Sequence, residues 1–72
     1  IEIAPAATQY QQVYVHTDGA IYIGINSSVN QANGYKLDVG EVLNFTIGQN
    51  DSLWAISTGG SSRTVYVLAT VL

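Results

Sequence analysis

His16 is the single histidine of the chain, so any proton-transfer chemistry on an imidazole must start from it. Asp18 stands two positions on, and Asp51 is followed by Ser52, which permits a serine, a histidine and an acid to be drawn together. Acyl transfer by such a trio needs a buried acid orienting the imidazole, and oxyanion donors beside an exposed nucleophile. A nucleophilic serine is commonly presented on an elbow of the form Gly-x-Ser-x-Gly, and no serine here has those neighbours. His16 also falls on the polar side of an alternating segment next to a turn, the setting of a solvated surface histidine. The chain is therefore read as a non-enzyme with no catalytic residues.

Metal and cofactor chemistry has as little to work with. With no cysteine there is no disulfide and no thiolate site, and one histidine does not make a transition-metal cage. Glu2, Asp18, Asp38, Glu41 and Asp51 are the acidic residues, and none falls in the Asp-x-Asp-x-Asp-Gly spacing of an oxygen-rich calcium loop. Asp18 and Asp51 sit in turns, where a short carboxylate bonds its own backbone. Asp38 and Glu41, flanking Gly40, are the weak remaining calcium candidate. Neither a phosphate-cradling Gly-x-x-x-x-Gly-Lys nor a dinucleotide fingerprint occurs, so the glycines punctuate strands and no cofactor is expected.

Charge excludes further classes of partner. Charged residues are 10% of the chain, against about 25% in an average soluble domain. Lys36 and Arg63 are the only cations and the net charge is −3, which argues against a phosphate backbone and against an anionic membrane surface. No apolar run approaches the roughly 20 residues that span a bilayer as a helix. A surface built from Ser, Thr, Asn and Gln suits salt-insensitive contacts with a partner or exposure outside the cell.

The aromatic set has two readings. Tyr10, Tyr14, Tyr22, Tyr35, Tyr66 and Trp54 are a rich complement in so uncharged a chain. Tyrosine and tryptophan carry large contact area at small entropic cost and are enriched at interfaces. They also stack on sugar rings, and they pack across strands within a sheet. Packing or a subunit interface is the reading preferred here, with a carbohydrate platform as the second.

The elements that must hold these residues follow from period-2 alternation. Ile1–Ala4 reads as a short extended arm ended by Pro5, which lacks the N–H a ladder needs, and residues 6–9 as a polar linker. Tyr10–His16 puts Val13 and Val15 on one side and Tyr14 and His16 on the other. Asp18-Gly19 predicts a type I′ hairpin into a returning strand over Ala20–Asn26, with Ile21, Ile23 and Ile25 inward. Gly24 within it predicts a bulge or a close backbone approach. Ser27–Gly34 holds at most one helical turn: a Ser cap, Val29 and Ala32 three apart, and Asn33-Gly34 as a left-handed stop. An edge segment over Lys36–Val39 leads to an alternating strand over Glu41–Gly48, with Leu43, Phe45 and Ile47 inward. Gln49–Asp51 turns into Ser52–Ser57, apolar on both faces. Gly59–Ser62 reads as a hairpin loop before the closing strand Arg63–Leu72, with Val65, Val67, Ala69 and Val71 inward and Tyr66 and Leu68 outward.

The fold expected is all-β: a small β-sandwich or partly closed barrel of about seven short antiparallel strands, with at most one helical turn near residues 27–33. Residues 1–9 form the arm and linker, and 10–72 one β domain. A domain of this size buries only about 60% of its unfolded surface, and small domains need a staple. With disulfides and metals excluded, oligomerisation is the expected one, and surplus apolar strand faces would supply it. The absence of methionine, with bulky Ile1 first, gives the further expectation of a processed, trimmed or excised segment.

Much of the chain also resembles a family of small bacteriophage virion structural domains. The residues carrying the resemblance are Ile21-Tyr22-Ile23-Gly24, Asn33-Gly34-Tyr35, Leu37, Gly40-Glu41, Asp51-Ser52-Leu53-Trp54-Ala55-Ile56 and Thr64-Val65-Tyr66-Val67-Leu68. Ile25, where a second small residue is usual, and Trp54, where tyrosine is commoner, depart from the pattern. The resemblance implies a capsid decoration or cement protein on the outside of the virion, partnered with the major capsid protein and with itself, in a homotrimer. The candidate interface residues are Ile1, Ile3, Tyr10, Tyr14, Tyr35, Trp54, Ile56, Tyr66 and Leu68. The alternative is a receptor- or glycan-binding module of a tail fibre or cell-surface protein.

Overall fold

A computed structural model describes residues 1–57 and 62–72. It is all-β, with seven strands: β1 (Glu2–Ala4), β2 (Gln11–Thr17), β3 (Ile21–Gly24), β4 (Tyr35–Leu37), β5 (Val42–Ile47), β6 (Leu53–Ser57) and β7 (Val65–Val71). They form two open sheets, one in the order β1-β6-β3-β4 and the other β5-β2-β7, with every pairing antiparallel.

Alternation sets which side chains meet. On β2, Gln11, Val13, Val15 and Thr17 are buried while Tyr14 and His16 face solvent. Val13 and Val15 stand opposite Phe45 and Leu43 on one side and Ala69 and Val67 on the other. The facing sheet contributes Ala4, Ile21, Ile23, Leu37, Leu53 and Ala55, which close the core with Val13, Val15 and Ile47. Each fully buried Leu or Ile stabilises by roughly 1.5–3 kcal/mol relative to exposure.

Connectivity differs from the hairpin expectation. Only β3 and β4 are neighbours both in sequence and within a sheet; the other consecutive pairs lie in different sheets. Asp18-Gly19 is therefore a crossover and not a type I′ hairpin. Among the described residues, positive φ occurs only at Gly40 (86°) and Asn50 (63°), so neither Asp18 nor Gly19 has the geometry that turn requires. Asp18 instead prolongs the β2–β7 ladder. Its N–H donates to the Thr64 carbonyl at 3.1 Å, and the Thr64 N–H donates to its carboxylate at 2.9 Å. The chain then leaves for the other sheet where the buried Thr17 hydroxyl donates to the Gly19 carbonyl at 2.7 Å.

Between β3 and β4 the limit of one helical turn holds, while the left-handed stop and the inward Ile25 do not. Residues 25–34 contain turns and no helix. The Asn30 side-chain oxygen accepts from the N–H groups of Ala32 (2.8 Å) and Asn33 (3.0 Å), and the Asn33 side-chain oxygen accepts from the Asn30 N–H at 2.8 Å. The Asn30 carbonyl accepts from the Gly34 N–H at 2.8 Å, so residues 30–34 close a single i→i−4 turn whose first free donors are capped by the Asn30 side chain. Asn33-Gly34 is not left-handed, and Ile25 leaves the strand and is exposed. Val29 alone from this loop reaches the interior, packed against the bare backbone of Gly24, which is the close approach predicted there.

The segment read as a free arm is, over Glu2–Ala4, a strand of this same domain. Glu2 and Ala4 pair with Trp54 and Leu53, and Ile1 and Ala55 exchange backbone hydrogen bonds at 2.9 Å each way. The predicted hairpin loop falls largely on residues 58–61, outside the described residues; the strands flanking it belong to different sheets.

Candidate binding surfaces

The outer face of the β5-β2-β7 sheet collects most of the exposed aromatic chemistry. Its central row is Gln12, Tyr14 and His16; register places Thr46, Asn44 and Val42 on one flank and Thr70, Leu68 and Tyr66 on the other. The His16 and Tyr66 rings lie parallel, with centroids 4.6 Å apart and planes 12° apart. The Gln12 amide is spoken for: it donates to the Asn44 side-chain oxygen and accepts from the Thr46 hydroxyl at 2.9 Å. None of these residues is Asp, Glu, Lys or Arg, so stacking and apolar packing are the main contacts the face has to offer.

The second surface is β7 itself. Val65, Val67, Ala69 and Val71 share the inner face with Val13 and Val15, as alternation predicts, but only Val65 is even half-buried. The opposite sheet is too narrow there, because β1 has three residues against the seven of β7. The inward reading of Val67, Ala69 and Val71 is thus right about face and wrong about cover. Sequence pattern gives the side of the sheet on which a residue lies, and only the length of the covering strand decides whether water is excluded.

The third is a cleft of about 270 Å³ at the other end of the sandwich, between the β3–β4 and β5 edges, lined by Ile23, Gly24, Ile25, Tyr35, Leu43, Phe45 and Leu53. No polar group other than the Tyr35 hydroxyl and backbone is among its lining side chains, so it has no anchor to orient a polar ligand.

The predicted interface residues do not form one patch. Tyr14, Tyr66 and Leu68 come together on the outer face described above, with Tyr10 exposed just before β2. Trp54 and Ile56 are half-buried on the outer face of the other sheet, where the Trp54 indole donates to the Ser52 hydroxyl at 2.9 Å. Tyr35 lies at the cleft, Ile3 packs on the core, and Ile1 is exposed beside β6. Missing from the prediction are Val67 and Val71, which are exposed although alternation reads them as inward, and Val42, which alternation already places on the outer side with Asn44 and Thr46.

The groups that could have formed a triad are each engaged elsewhere: His16 on Tyr66, the Asp18 carboxylate on the Thr64 N–H, and Ser52 on Trp54. Around Gly40, the Glu41 carboxylate accepts from the Asp38 N–H at 2.8 Å and Lys36 sits 3.5 Å from Asp38, so these acids close their own turn. Among the described residues no three His, Asp or Glu side chains gather into a metal-binding group. None of the family models, curated proteins or solved structures compared with this chain matches it.

Proposed function

We propose that this chain is a structural module that works by assembly: a decoration or cement protein on the outside of a phage capsid, joined to copies of itself and to the major capsid protein. The observation that supports this reading is the surplus of uncharged apolar surface along β7, where Tyr66, Val67, Leu68 and Val71 are all exposed. A cement protein must stabilise a shell without chemistry and resist dilution and salt outside the cell. An apolar, charge-free strand provides contacts of that kind, because burial of apolar area is not screened by ions. The test is to add the purified protein to capsids stripped of their accessory proteins. Saturable binding in many copies per particle, with a raised shell-disruption temperature, is the expected result; absence of binding refutes the capsid role.

A second reading has its own observation. The His16–Tyr66 stack, with Tyr14 the next side chain along the same face, resembles an aromatic surface on which a sugar ring lies. Glycan-array binding at millimolar sugar, lost in Tyr66→Ala, would favour that module over the cement protein.

A further inference from the structure

β7 has an open edge whose polarity can be worked out. Leu72 N–H donates to the Tyr10 carbonyl and Asp18 N–H to the Thr64 carbonyl, so in this antiparallel ladder the even-numbered residues exchange hydrogen bonds with β2. The N–H and C=O groups of Val65, Val67, Ala69 and Val71 therefore point away from β2, along the outer edge of the sheet. No strand of the chain among the described residues pairs with that edge.

Edges are normally guarded by shortness, proline, charge or bulges. β1 is three residues long and followed by Pro5; β4 is three residues long and carries Lys36. β5 presents Asn44 and Thr46, whose side chains are tied to Gln12. β7 has none of these devices: seven residues, no charge, no proline, no glycine, with Tyr66 52%, Leu68 61% and Val71 51% exposed.

We propose that β7 pairs antiparallel with β7 of a second copy about a two-fold axis passing beside Leu68, joining two three-stranded sheets into one. The inference rests on the assembly reading above and specifies its self-contact. A strand meeting itself antiparallel needs only to tolerate its own sequence reversed, and an uncharged strand sets no like charges against each other. Centring the pair on Leu68 uses the whole of Val65–Val71. Val65 meets the second copy's Val71, and Val67 its Ala69, in pairs that exchange two hydrogen bonds each; Leu68 meets Leu68 in a close pair without hydrogen bonds. The exposed Val67, Ala69 and Val71 stripes of the two copies then adjoin on the inner side, and Tyr66 and Leu68 on the outer. A head-to-tail ring is the competing arrangement. β5 and β7 both run antiparallel to β2, so a ring joining β7 to a neighbour's β5 keeps all copies in one direction and must pair in parallel. Parallel pairing is slightly weaker per residue, and it leaves the self-matching of β7 unused.

The test uses the fact that under this axis Leu68 faces itself. Leu68→Glu and Leu68→Lys each place like charges directly opposite and should weaken self-association by about tenfold or more. Circular dichroism checks that both fold. Mixed in equal amounts, the two variants should recover dimers near the wild-type affinity, measured by sedimentation velocity and by native mass spectrometry that separates mixed from like pairs. Ala69→Pro, which removes an outward N–H that β2 does not use, should dissociate the dimer by a second route. A wild-type oligomer unmoved by the Leu68 charges, or variants that stay monomeric when mixed, overturns the β7 pairing while leaving assembly by another surface standing. A wild-type chain monomeric at hundreds of micromolar overturns the self-association of both proposals.

Discussion

Gly24→Ala tests the packing that ties the Asn-rich loop to the sandwich. A Cβ at residue 24 would stand 2.7 Å from Val29 Cγ2 and 2.8 Å from Val29 Cβ. Carbon atoms pack best at about 3.5–4.0 Å, so the shortfall is about an ångström. Val29 is 7% exposed, and the backbone behind it is held by the bond from its N–H to the Asn26 carbonyl. Overpacking of this kind costs about 1–3 kcal/mol. Replacing glycine also removes unfolded-state freedom, which offsets about 0.4–1 kcal/mol. The net expectation is a loss of about 1–2 kcal/mol, a large share of the roughly 4–11 kcal/mol that a chain of this length commands. With a urea slope near 1 kcal/mol/M, the unfolding midpoint should fall by about 1–2 M with the slope unchanged. In a Val29→Ala background the Cγ2 contact is gone while the Cβ contact remains, and the penalty should shrink to about half. A Gly24→Ala midpoint equal to wild type, or the same penalty with and without Val29→Ala, would refute the reasoning.

Three other outcomes follow from the same structure. Leu53→Ala should cost about 2–4 kcal/mol in urea unfolding because Leu53 is fully buried, whereas Leu68→Ala on the isolated monomer should stay within about 0.5 kcal/mol. Asn50 holds a φ of 63°, so Asn50→Val should lose about 1–2 kcal/mol of thermal stability while Asn50→Gly changes little. A double-mutant cycle over His16→Ala and Tyr66→Ala should return a coupling of about 0.5–1 kcal/mol from the stacked rings, and a coupling of zero would mean the stack contributes nothing in solution.

The sequence was legible where alternation speaks for itself. Val13 and Val15 inward, Tyr14 and His16 outward, and Leu43, Phe45 and Ile47 on one face all follow from a pleat that any strand must have. What it left open was which strands pair. Asp18-Gly19 announces a change of direction, yet the same two residues serve a hairpin or a sheet crossover. The choice is made by Thr17 and Thr64, the second of which is remote in sequence. The loop over residues 25–34 shows the same limit locally: Val29 and Ala32 have helical spacing, yet the chain makes one i→i−4 bond, from Gly34 to Asn30, and goes no further. The surfaces were half-legible, since Tyr66 and Leu68 read as outward while the exposure of Val67 and Val71 depends on how short β1 is.

The crossing connectivity has a consequence for how the chain reaches its native state. β2 sits at the centre of its sheet, but neither of its partners is next to it in sequence: Val13 must find Phe45 and Ala69. No local hairpin can serve as a seed for that sheet, and the loop-closure entropy of both pairings is spent before their contacts form. Folding should therefore fall in the millisecond-to-second range typical of non-local β topologies. During that interval β7 is an apolar, unguarded strand without even its β2 partner. Productive folding and misassembly then compete for the same segment, and the outcome will depend on how crowded the chain is with copies of itself.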